Sequence, residues 1–70
     1  MKRYFEVCWM TSAPLGAMSA GSIGRYETRE QAEEVFRFKK ATHEDTNGNV
    51  TEFWIDRVQV DEFGNVSKVL

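Results

Sequence analysis

One cysteine, one proline and one histidine occur among 70 residues, and each scarcity removes a class of chemistry. Cys8 alone rules out an internal disulfide, and a lone free thiol fits a reducing compartment. A transition-metal site needs three or four N, S or O ligands, whereas Cys8 and His43 supply two. The same two residues are formally a nucleophilic pair. Cys8, however, lies mid-strand among large apolar residues, an environment that keeps a thiol inert. Long hydrophobic runs are missing too. No stretch approaches the roughly 20 apolar residues of a membrane span. Lys2 and Arg3 stand where a leader's basic residues would, but Glu6 interrupts the short run behind them. The expected location is therefore the cytoplasm, away from any membrane. Neither sign of charge dominates: nine basic and eleven acidic residues give a net −2. So mild a balance provides no general grip on phosphates and argues against nucleic acid as the partner.

Two apparent motifs dissolve on their spacing. Asp45, Asn47, Asn49 and Glu52 suggest a calcium loop, but that loop needs glycine sixth and a bidentate glutamate twelfth. Here they come fourth and eighth, so an Asn47-Gly48 turn flanked by polar residues is the expectation. Gly16, Gly21 and Gly24 fit neither common phosphate-binding spacing, and no lysine lies among them. The glutamates at 30, 33 and 34 open a helix, and solvation there accounts for them. No cofactor, metal ion or enzymatic activity is expected.

What the chain does have is aromatic residues: nine, from Tyr4 to Phe63. A chain this short buries only about 60 % of its unfolded surface, and aromatics burying roughly 150–250 Å² each are the available remedy. Phe5, Trp9 and Phe36 are the expected core members, and self-association is the next source of stability.

Along the chain, residues 3–11 read as a strand with Phe5, Val7 and Trp9 on one face. Tyr4, Glu6, Cys8 and Met10 share the other face, which is either partly covered or a binding surface. Residues 12–24, SAPLGAMSAGSIG, carry no charge and no period. They are expected to form a long flexible loop, with a short strand following at Ile23–Glu27. Thr28 caps a helix from about Arg29 to Ala41, with Gln31 at the capping-box position and Glu33–Arg37 as an i,i+4 pair. Ala32, Val35 and Phe36 form its apolar stripe, widened by Phe38. Basic Arg37, Lys39 and Lys40 complement the dipole at its end. After the Asn47-Gly48 turn, residues 51–60 form a strand of mixed phase: Phe53 and Ile55 face one way, and Trp54, Val58 and Val60 the other. Either a β-bulge near Asp56-Arg57 unites them or both faces are partly covered. A turn with Gly64 in the left-handed region leads to a last strand, Val66–Leu70.

The fold class that follows is α+β in a single domain over residues 1–70. It consists of a small antiparallel sheet of three to four strands with one amphipathic helix on one face, in the order β-(β)-α-β-β. The function that follows is protein binding. Leu15, Met18 and Ile23 are candidate anchors in the loop, where methionine suits an adaptable interface. Tyr4, Trp54 and Arg57 are candidates on the sheet. In size, element order and lack of catalytic chemistry the chain is similar to small bacteriophage and mobile-element proteins that block host machinery such as CRISPR effectors and RNA polymerase. That similarity implies an inhibitor or modulator of a host protein complex. Two alternatives stand beside it: an assembly module acting as a homodimer or small subunit, and a weak nucleic-acid binder using Arg37, Lys39, Lys40 and Arg57.

Overall fold

The alternation in residues 3–11 builds the centre of the sheet. The computed structural model describes residues 1–69, and Leu70 lies outside them. Strand β1 (Lys2–Ser12) pairs antiparallel along its whole length with β3 (Val50–Val60), from Lys2 opposite Val60 to Ser12 opposite Val50. Its other side pairs with β2 (Met18–Tyr26), and β4 (Val66–Lys68) pairs with the end of β3, giving the order β2-β1-β3-β4. Because the β1–β3 register never slips, side chains sort cleanly by parity. Phe5, Val7 and Trp9 stand opposite Arg57, Ile55 and Phe53 on one face. Tyr4, Glu6, Cys8 and Met10 stand opposite Val58, Asp56, Trp54 and Glu52 on the other.

Helix α1 (Arg29–Thr42) carries the chain from β2 to β3 and packs across the first of those faces, touching β1, β2 and β3. Its start is fixed by the capping box. Thr28 Oγ1 accepts the Gln31 N–H at 3.2 Å, and Gln31 Oε1 accepts the Thr28 N–H at 3.4 Å. Ala32 and Val7, both fully buried, mark the centre of the layer between helix and sheet. A small residue at Ala32 lets the helix backbone come close to the strands. The aromatics wall this layer rather than filling it: Phe5, Trp9, Phe36 and Phe53 are all half-buried. Two guanidinium groups lie over the Phe5 ring, Arg29 at 5.3 Å and Arg57 at 6.0 Å from its centroid.

Several details differ from the sequence expectation. The connection after β1 is only Ala13–Ala17, closed by the Ala17 carbonyl accepting the Ala13 N–H at 2.8 Å, and β2 already begins at Met18. Large rings replace the side chains that β2 lacks. A Cβ on Gly21 would stand 2.9 Å from Trp9 Nε1, and one on Gly24 would stand 2.9 Å from the Tyr26 hydroxyl. Aromatic rings lying over strand glycines supply the packing that glycine cannot. The sheet's irregularity is in β2, not at Asp56-Arg57: the register slips between Val7–Gly24 and Cys8–Ser22, leaving Ile23 as the extra residue. β3 runs without a break and simply contributes to both faces. Phe38 is exposed instead of widening the helix stripe, and the helix-surface ion pair is Arg29–Glu33 at 4.0 Å instead of Glu33–Arg37. The turns are as expected, with Asn47 and Gly48 at φ 56° and 76° and Gly64 at φ 82°.

Candidate functional site

The helix covers one face of the sheet and nothing among the described residues covers the other. That open face is crossed by a row of polar contacts spanning all four strands. On β2, Arg25 Nε donates to Glu6 Oε2 at 2.9 Å. On β1, the Cys8 thiol lies 3.5 Å from Glu6 Oε1 and 3.7 Å from Asp56 Oδ2. On β3, Asp56 Oδ2 also accepts from the Trp54 indole N–H at 3.0 Å, and Lys68 Nζ of β4 approaches the same oxygen to 3.5 Å. Two carboxylates and two cations make the row neutral.

Apolar side chains flank the row on both sides, as the pairing dictates. Toward the Ser12 end lie Met10, Trp54, Ala20 and Met18, the last 65 % exposed, with Glu52 opposite Met10 on the β3 edge. Toward the Lys2 end lie Tyr4, Val58, Val60 and Val66. Val58 and Cys8 are buried here, sheltered by these larger neighbours and not by a second layer. Burial, together with the Glu6 and then the Asp56 carboxylates, pushes the Cys8 thiol up to about 12. A thiol so held is not a nucleophile at neutral pH.

His43 is on the opposite side of the sheet from Cys8, so the two form no pair. It follows the helix, packs edge-on against Phe53 with centroids 5.3 Å apart, and sets Nε2 2.9 Å from Asp45 Oδ1. The same Asp45 oxygen accepts the Thr51 N–H at 3.1 Å. A groove of about 510 Å³ passes here, lined by Lys40, His43, Asp45, Thr51 and Phe53 among others. The nearby Thr11 and Thr51 hydroxyls bond each other at 2.7 Å. These polar groups satisfy one another and hold the end of β3 to the turn before it. Among the described residues, no three His, Cys, Asp or Glu side chains are grouped to hold a metal ion, and no helix is long and apolar enough to cross a membrane.

The six residues singled out from sequence do not form one surface. Tyr4, Trp54 and Met18 share the open face, on either side of the polar row. Leu15 projects from the Ala13–Ala17 turn, 99 % exposed. Ile23 and Arg57 are on the helix side: the bulge turns Ile23 toward Trp9 and Lys39, and Arg57 lies over Phe5. Met10, Val60 and Val66 belong to the open face and were not singled out, although strict alternation from Tyr4 marks Met10. Val66 could be assigned only once its pairing with Val60 was known. No family model, curated protein or solved structure matches the chain.

Proposed function

We propose that this chain is a non-enzymatic protein-binding module and that it meets its partner through the open sheet face. The observation that carries this reading is the half-exposed group Tyr4, Met10 and Trp54, with Met18 beside it, on a face that has no second layer. Aromatic and methionine side chains around a satisfied polar row have the composition of an interface centre. The groups with chemical potential, on the open face and off it, are engaged in structural contacts. The Cys8 thiol is protonated, and His43, Asp45, Thr11 and Thr51 are bonded to one another or to backbone. An inhibitor or modulator of a larger protein complex is a form of this role that suits so small a chain.

The test is site-specific photo-cross-linking in extract of the source cells, with the photoreactive residue at position 10 or, separately, at position 38. Position 10 lies on the open face and Phe38 is exposed on the helix. Discrete protein adducts from position 10 and none from position 38 are expected. Adducts from position 38 alone would place recognition on the helix and overturn the reading.

A further inference from the structure

We infer that the partner on the open face is a second copy of this chain, so that the protein works as an isologous dimer; this rests on the reading that the open face is the binding surface. Exposed area favours a second copy. A compact monomer of 8.1 kDa exposes about 4,500 Å², whereas this chain exposes 5338 Å². The excess, roughly 800 Å², equals what one partner contributes to a standard interface. Shape agrees with area. The radius of gyration is 13.7 Å where about 11 Å is usual for this length, and the molecule is a plate of 41 × 24 × 17 Å. A plate with one bare broad side becomes a compact body when two such sides meet.

Charge favours the same occupant. The polar row is neutral, with Arg25 and Lys68 at its ends and Glu6 and Asp56 within. A partner of strong net charge therefore gains nothing from it, and a second neutral face loses nothing. Placement of charge also fixes where a two-fold axis runs. Laid directly on each other, the two rows would set like against like. An axis through Met10 and Ala20 brings apolar group to apolar group, keeps Glu52 on the edge of β3 that β4 does not reach, and leaves each row at the rim, where its charges keep their own partners and remain solvated. An isologous contact requires self-complementarity of this kind. Trp54 and Met10 occupy the centre of such a contact, and Met18, which is largely exposed in the single chain, gains most cover.

The deciding experiment is sedimentation equilibrium of the full chain over a hundredfold concentration range. It compares wild type with Trp54→Lys, Met18→Lys and the helix-surface control Phe38→Lys, each checked for folding by circular dichroism. Met18→Lys guards against a Trp54 variant that fails to fold, since Met18 is mostly exposed. The inference expects wild type and the control to approach twice 8.1 kDa as concentration rises, and both open-face variants to stay at single-chain mass. Wild type that is monomeric throughout would overturn the second copy as occupant, while leaving the open face to the cross-linking test. Self-association that persists in both open-face variants would move the contact to another surface, such as the β2 edge, and overturn the inference outright.

Discussion

Cys8 offers the sharpest test of how the open face is built. The residue is 6 % exposed, and its thiol sits between Glu6 and Asp56. Desolvation is the largest cause of its raised pKa, followed by the hydrogen bond and charge of Glu6 and then Asp56, and together they take it from 9.0 to about 12. Three pH units are a factor of about 1,000 in thiolate population. At pH 10 an ordinary thiol is about 90 % ionised, whereas Cys8 in the folded chain should be about 1 % ionised. The Cβ chemical shift of Cys8, followed by NMR while circular dichroism confirms folding, reads this directly. Between pH 9 and 12 the folded chain keeps a proton that the unfolded chain has lost. The contribution of Cys8 is therefore complete below pH 9 and is lost as pH rises toward 12. Glu6→Gln removes a charge and should lower the titration midpoint. A midpoint near 9 in folded wild type, or no response to Glu6→Gln, would refute the placement of the thiol between two carboxylates.

Further outcomes follow from other contacts. Gly21→Ala sets a Cβ against the Trp9 indole and should cost about 1–3 kcal/mol in chemical denaturation; a neutral result would mean that Trp9 does not lie over β2. Val7→Ala empties part of the fully buried centre and should cost about 2 kcal/mol, whereas Leu15→Ser, at an exposed turn, should stay within about 0.5 kcal/mol by the same assay. Asp61 has its carboxyl held below its ordinary value by the backbone N–H groups of Asn65 and Phe63 and the Asn65 side chain. Its support of the β3–β4 turn is complete above the ordinary carboxylate value and is lost as pH falls through the lowered one. Protection of the Phe63 and Asn65 amides, measured as exchange relative to the intrinsic rate at the same pH, should therefore fall on acidification in wild type and should be low at every pH in Asp61→Ala.

Local chemistry made most of the fold readable. The Thr28 box, the Asn47-Gly48 turn and the Gly64 turn each depend on residues a few positions apart and took their expected form, as did the Ala32, Val35 and Phe36 stripe apart from Phe38. The β1 alternation separated the two faces, including Tyr4 and Met10 on the open one. What was not readable depends on residues far apart in sequence. Met18–Gly24 looks like a linker because its side chains are small; it forms a strand because Trp9 and Tyr26 supply the missing bulk and β1 supplies the hydrogen-bonding partner. The slip at Ile23 is likewise a property of the β1–β2 pair. Ile23 reads as a loop anchor from sequence, yet the bulge turns it toward Trp9 and the helix; Arg57 is exposed and lies over Phe5 on the helix side. β3 posed the choice between a bulge and two covered faces, and only its unbroken register with β1 resolves it.

The claim that the open sheet face is the surface that meets a second copy is tested most directly by a dilution series of amide and indole NMR spectra. The account predicts concentration-dependent shifts at Tyr4, Met10, Met18 and the Trp54 indole, with Ile23, Arg57 and Lys39 on the helix side unchanged. Shifts confined to the helix side or to the β2 edge, or spectra that do not change with concentration, would contradict it.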